Sequence, residues 1–356
     1  MKSIGIDYHK RYSVVCVLDD DGRDVTIERI EHVSPERFHR LIGSHAPCQV
    51  AFESTMNWGW LYDLLEVIPG VEKIVMANPL HVRLIAAAQV KTDKVDARKL
   101  AQLIRVNLLP GSHIPSRETQ ARKEVLRQRA FWVRTRTKVR NRIHRLLGRH
   151  HNLALPQVTD LFGKKGRAAL NKLVLPSPYD VLLRQQLEAL DSLQSHVKEL
   201  DVRIAKDGSI DPNAEMLSSI PGVGVVIGNM MASEIDGIDR FSQSEDLVAY
   251  AGLIPTTSSS GDKTYHGRLV PGCNKWLRWA FVEAAWVAVG CSGYFGGIYR
   301  AHRARGKKAN TAILITARRM CQIAFRLLKE QRCYREVFVN DTVPGSSQLR
   351  STKHAA

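Results

Sequence analysis

Cysteine is scarce in this chain and carries no pattern. The six cysteines, Cys16, Cys48, Cys273, Cys291, Cys321 and Cys333, form no C-x-x-C pair, which argues against zinc and fits a reducing cytoplasmic setting. Long apolar runs are also missing. The longest, around Trp279 to Val289, contains Glu283 and is too short to span a bilayer. The N-terminus lacks a signal-peptide pattern, so no membrane partner is expected. Acidic charge is the third scarcity: 35 Asp and Glu stand against 52 Lys and Arg, a net charge of +17 on 356 residues. That surplus points to a polyanionic partner, nucleic acid before membrane. With 44% hydrophobic residues, the chain is globular and has room for two or three domains.

Against this basic background, four acids stand out. Asp7 closes the apolar run Ser3-Ile4-Gly5-Ile6, and Glu53 closes Val50-Ala51-Phe52. Asp93 and Asp96 lie three residues apart where a helical pattern begins, and so share a helix face. Bare carboxylates about 4 Å apart repel by ~4 kcal/mol at an effective dielectric of 20. Four such groups can gather only if a cation holds them. Oxygen ligands with open positions for phosphate suit Mg²⁺, with Mn²⁺ as the alternative, and phosphoryl chemistry is what such a centre performs. The competing reading is that these acids cap helices or pair with Lys91 and Lys94.

The pattern along the chain supplies the frame. Strand-like runs at Lys2–Ile6, Tyr12–Leu18 and Val25–His32 precede a helix from Ser34 to about His45. A strand at Gln49–Phe52, a helix at Trp58–Val67, a strand at Lys73–Met76 and a helix after Pro79 follow. Three strands and then αβαβα predict a mixed α/β sheet with helices on both faces, the element order of a ribonuclease-H-like fold. That domain is expected over 1–112. A basic helical region follows over 113–210, where Val125, Trp132, Val139 and Leu146 form one seven-residue seam and Leu183, Leu190, Val197 and Ile204 another. These predict a coiled-coil arm or a subunit contact, with packing inside one domain as the alternative. A mainly α region spans 211–344, and a polar, disordered tail is expected over 345–356.

Other motifs remain open on chemistry alone. Ile220-Pro221-Gly222-Val223-Gly224 reads as a helix–hairpin–helix turn or a plain tight turn. The run Thr256-Thr257-Ser258-Ser259-Ser260-Gly261 reads as a flexible loop. A hydroxyl there could attack a phosphodiester if Lys263, His266 and Arg268 compensated the charge. Phosphate contacts are assigned to Arg127, Arg134, Lys138, Arg142 and Arg145 on the basic helix, and downstream to Lys263, His266, Arg268, Lys275 and Arg278. Trp132, Trp276, Trp279 and Trp286 recur at helical spacing, which favours core packing over base stacking.

Taken in order, Gly5-Ile6-Asp7-Tyr8-His9-Lys10, Phe52-Glu53-Ser54-Thr55 and Lys91-Thr92-Asp93-Lys94-Val95-Asp96 resemble the DEDD motifs of insertion-sequence family 110, in its 1111 subgroup. Ile220–Gly224, Ala249–Pro255 and Ser260-Gly261-Asp262-Lys263 extend the resemblance over nearly the whole chain. Pro271-Gly272-Cys273 before Asn274 departs from the Lys-x-Gly common in the family. The resemblance implies a resolvase-like (RuvC-type) catalytic domain, a coiled-coil middle and a C-terminal transposase domain. It also implies recombination guided by a bridge RNA that pairs with donor and target DNA. Asp7, Glu53, Asp93 and Asp96 would then bind Mg²⁺, and Ser260 would join covalently to DNA, with Ser259 and Ser258 as register alternatives. A homo-oligomer, dimer or tetramer, acting in the bacterial cytoplasm at the nucleoid is the matching expectation. Two alternatives remain: a junction nuclease in which water attacks, and a non-catalytic nucleic-acid-binding protein.

Overall fold

A computed structural model describes residues 1–85, 92–150, 157–208, 211–260 and 263–335. Lys91, Gly261, Asp262 and the expected tail lie outside the described residues. The chain divides into two compact units, Met1–Pro115 and Ser116–Ala356.

In the first unit, β1 (Lys2–Tyr8), β2 (Tyr12–Leu18) and β3 (Asp24–Glu31) form an antiparallel meander. Then come α1 (Glu36–Gly43), β4 (Cys48–Glu53), α2 (Trp58–Glu66), β5 (Val71–Ala77), α3 (Pro79–Ile85) and α4 (Asp93–Arg105). The sheet order is β3-β2-β1-β4-β5, with β4 parallel to both β1 and β5. It is the mixed sheet that the element order predicts.

Period-two alternation sorts the strand residues between two layers. Ile4, Ile6, Val50 and Phe52 pack with Phe38 and Ile42 of α1 and with Leu61 and Leu65 of α2. On the opposite face, Ala51 packs with Leu100 and Ile104, and Cys16 with Ala97 and Ala101, all four from α4. Gly5 belongs to this second face. A Cβ there would run into the Ala97 carbonyl oxygen and the Ala101 amide nitrogen. The missing side chain lets α4 lie directly on β1.

The second unit is mostly helical: α5 (Arg117–Leu147), α6 (Lys164–Lys172), α7 (Tyr179–Gly208), α8 (Pro212–Ser218), α9 (Val225–Ile235) and α10 (Ser244–Tyr250). A hairpin of β6 (Pro255–Ser260) and β7 (Lys263–Leu269) is followed by α11 (Lys275–Cys291), α12 (Gly293–Ala304) and α13 (Ala309–Glu330). The long helices α5 and α7 run antiparallel, as the contacts Arg129–Asp201 (2.5 Å), Arg136–Gln194 (2.7 Å) and Trp132 stacked on His196 show. The α7 seam buries as predicted, at Leu183, Leu190, Val197 and Ile204. On α5 the seam is displaced over its first three positions. Leu146 buries as predicted, but Val125, Trp132 and Val139 are half-buried, while Leu126, Ala130, Ile143 and Leu147 are buried. The reason is that α5 serves two cores in turn. Leu126 and Ala130 join the large core built on α8, α9, α11 and α13; Ile143 and Leu147 join a smaller one with α6 and α7.

One further expectation is corrected. The serine run is strand β6, not a loop. Paired with β7, its backbone meets a full antiparallel partner, the β-branched Thr256 and Thr257 favour the extended form, and Thr256 Oγ1 donates to the Arg268 carbonyl at 3.0 Å. Gly222, in the turn before α9, has φ +87, and a Cβ there would strike the Ala284 carbonyl oxygen. Its freedom serves close packing on α11. Among the described residues no single helix is long and apolar enough to cross a membrane. The apolar α11 spends Leu277, Ala280, Phe281, Ala284, Ala285 and Ala288 on the core.

Charge is also spent inside this unit. Glu234 is 1% exposed and takes Arg127 Nε and Nη2 at 2.9 and 3.0 Å, Asn274 Nδ2 at 2.9 Å and Lys123 Nζ at 3.9 Å. Glu234→Ala leaves two partly or wholly buried cations without a counter-charge; we expect a loss of about 3–5 kcal/mol in urea unfolding. Gly5→Ala forces α4 off β1 and is expected to cost about 1–3 kcal/mol as overpacking, read as a lowered first-unit melting transition.

Candidate active site

Register brings the acids together from the strand side. The last paired residues of β1 and β4 are Ile6 and Phe52, so Asp7 and Glu53 follow side by side at the same strand end, about 4.8 Å apart by strand spacing. Both have the parity of Gly5 and Ala51, which places them on the α4 face. From the helix side, Thr92 caps α4, its Oγ1 accepting from Val95 N at 3.3 Å. Asp93 and Asp96 therefore fall in the first turn, where the helix dipole favours negative charge.

The side chains of Asp7, His9 and Asp93 converge at this point. His9 Nε2 lies 3.2 Å from Asp7 Oδ2 and 3.4 Å from Asp93 Oδ2. One ligand atom each from Asp7, His9 and Asp93 falls within 4.8 Å of the others. Asp93 Oδ2 also accepts from the Tyr12 hydroxyl at 2.9 Å, and the Arg29 guanidinium sits 3.5 Å above the Tyr12 ring. Burial is the main cause that raises the Asp7 pKa; His9 opposes it, and the charges of Asp93 and Asp96 push it further up. Asp96 is thus within electrostatic reach of Asp7, while its Oδ1 accepts from Lys99 Nζ at 3.0 Å. The Asp93 hydrogen bond raises the Tyr12 pKa.

Sequence reading selected four acids and missed His9 and Tyr12. The signal for His9 was its place two residues after Asp7, beyond the strand end and so able to fold back over it. Nothing local marks Tyr12, which reaches Asp93 across 81 positions. The set fits a hard divalent cation: several carboxylate oxygens, one of them destabilised in its charged form by burial, at an edge still partly open.

In the second unit, Ser260 is the last residue of β6, exposed, and paired with Lys263 across the hairpin; Ser259 pairs with Thr264 and Ser258 with Tyr265. The backbone of His266 faces Thr257, and Arg268 is exposed. The expected phosphate contacts divide into committed and open side chains. Arg127 is committed to Glu234. Arg278 is committed to the foot of the hairpin, donating to the Val270 carbonyl at 2.6 Å and meeting Cys273 Sγ at 2.8 Å. Arg134 lies over the rings of Trp276 and Trp279, 4.7 and 5.2 Å from their centroids. These two tryptophans are half-buried against the large core, as their spacing predicts, whereas Trp286 is 43% exposed. Lys138, Arg142, Arg145 and Lys275 are exposed.

Comparison with known proteins gives these two regions a common setting. A transposase domain of the DEDD, IS110 type matches residues 4–152, and the family described as "Transposase IS116/IS110/IS902 family" matches residues 214–300. A probable family 20 transposase of Pseudomonas aeruginosa is 24% identical over 94% of this chain and 99% of its own length. The transposase for insertion sequence element IS1328 of Yersinia enterocolitica is 24% identical over 79% of this chain and 82% of its own. The transposase for IS1111A of Coxiella burnetii is 23% identical over 74% and 71%. Two family matches in order along one chain, with relatives aligned across most of its length, place this chain among the IS116/IS110/IS902 transposases, enzymes that act on DNA.

Proposed function

We propose that this transposase exchanges DNA strands at a divalent-cation centre held by Asp7, Glu53, Asp93 and Asp96, with Ser260 as the nucleophile. The observation that carries the reading is the meeting of Asp7, His9 and Asp93 at the end of β1, with Asp96 in the same helix turn. The strand order supports a ribonuclease-H-like, RuvC-type domain. When bound, Mg²⁺, or Mn²⁺ where the His9 nitrogen also contributes, supplies Lewis-acid stabilisation of phosphate oxygens. Asp7 and Asp93 would hold the cation, and His9, whose Nε2 lies 3.2 and 3.4 Å from their carboxylates, lies beside both of them. Ser260 Oγ attacks phosphorus, the bond to the departing sugar oxygen breaks, and the hydroxyl proton ends on that oxygen. The phosphodiester count is conserved, so a second strand's hydroxyl can reverse the step and complete the exchange.

The remaining parts of the reading rest on the motif order and on the +17 charge. A bridge RNA pairs with donor and target DNA. A homo-oligomer, dimer or tetramer, assembled through coiled-coil contacts of α5 and α7, supplies Ser260 from another subunit. The chain falls in the 1111 subgroup and works in the cytoplasm at the nucleoid.

Two outcomes test this. Millimolar Mg²⁺ or Mn²⁺ is expected to raise the melting temperature of the native chain by binding linkage and to leave that of Asp7→Asn unmoved; equal shifts in both would remove Asp7 from the centre. On denaturing gels, the native protein with substrate DNA is expected to yield a protein–DNA adduct that Ser260→Ala abolishes. Cleavage without any adduct identifies water as the nucleophile instead.

A further inference from the structure

The basic helix α5 carries cations of two kinds. Some are spent internally: Arg127 on Glu234, Arg129 on Asp201, and Arg136 on Gln194. Others have no such role. The side chains of Lys138, Arg142, Arg145 and Arg149 make no hydrogen bond or ion pair with any described residue, and all four border one groove of about 540 Å³ between α5 and the start of α7. Their spacing of four, three and four residues sets them along one side of the helix. Like charges at such spacing destabilise an isolated helix, and none of the described residues lining the groove is acidic. The opposite wall is Tyr179, Leu182 and Gln186.

That wall narrows the class of ligand. The Gln186 Oε1 atom is buried and has no hydrogen-bond partner, and a buried acceptor without a donor is costly. A simple polyanion, with acceptor oxygens alone, would satisfy the cations and leave Gln186 as it is. A nucleic acid carries both features: phosphates for the cations, and base amino groups or ribose hydroxyls as donors. Tyr179 adds an aromatic ring beside the track. From Lys138 to Arg145 the helix rises about 10 Å. That is about three phosphates of one duplex strand, and Arg149 prolongs the row past the helix end.

We propose that the α5–α7 groove is a phosphodiester-binding track, in which Lys138, Arg142, Arg145 and Arg149 grip one nucleic-acid strand and Gln186 accepts from its sugar or base. The choice of nucleic acid as ligand rests on the function proposed above, but the track itself needs no metal and no nucleophile.

The test uses the full chain in EDTA, so that no cleavage occurs, with a labelled hairpin RNA and a labelled duplex DNA titrated over a range of salt. The triple variant R142Q/R145Q/R149Q is expected to reduce the slope of log Kobs against log salt by about 2–3 on at least one probe, at 0.7–0.9 per lost contact. The probe that loses slope identifies RNA or DNA as the strand held. R142Q and R145Q singly should each remove about one contact's worth of slope, a readout that survives if the triple variant misfolds. R303Q/R305Q/K307Q, a charge-matched change on exposed residues elsewhere in the second unit, should leave the slope as it was. Unchanged slopes on both probes, or an equal loss in the control, overturn the track. Because the slopes are read in EDTA, with no divalent cation available, a failure of the metal-centre reading would not be mistaken for a failure of this one.

Discussion

The acidic edge proposed as the catalytic centre depends on a side chain that is absent. Gly5 allows α4 to rest on β1 with backbone against backbone, and the position of every acid on the helix follows from that contact. A larger residue would move the first turn of α4, and with it Asp93 and Asp96, relative to Asp7. The capped start of the helix then fixes rotation: Thr92 sets the first residue, and the i, i+3 spacing turns both aspartates the same way. Strand register settles Asp7 against Glu53, and helix contact settles the aspartate pair against both.

Basic charge serves two distinct ends in the second unit. Around Glu234, arginine and lysine neutralise one buried carboxylate, asparagine donates a hydrogen bond to it, and together they tie α5, α9 and the start of α11. Farther along the same helix, cations remain without internal partners and face a groove. Sequence composition alone cannot separate these uses, because Arg127 and Arg142 look alike when read as letters on one basic helix. Only the partner, a glutamate 107 positions away in one case, tells them apart.

The same distinction explains how much was legible beforehand. The sheet of the first unit was readable because its strands alternate cleanly and its turns carry glycine, aspartate and proline. The acidic set was readable because Asp7 and Glu53 end strands and Asp93 and Asp96 begin a helix. His9 and Tyr12 act on that set through contacts that no local period encodes. The seam on α5 was misplaced at Val125, Trp132 and Val139 because a heptad assumes a single partner along the helix, whereas α5 packs first into one core and then into another. The serine run was misread because small polar residues resemble a loop when the strand they pair with is ignored.

That pairing carries a consequence for the chemistry. Along a β-strand, neighbouring residues project to opposite sides, so Ser259 and Ser260 present their hydroxyls in contrary directions from β6. In a floppy segment, adjacent serines could substitute for one another by rotating the backbone. Held in a ladder, they are not interchangeable, and the hairpin confers selectivity on its own alcohols: a neighbour one position away is no spare.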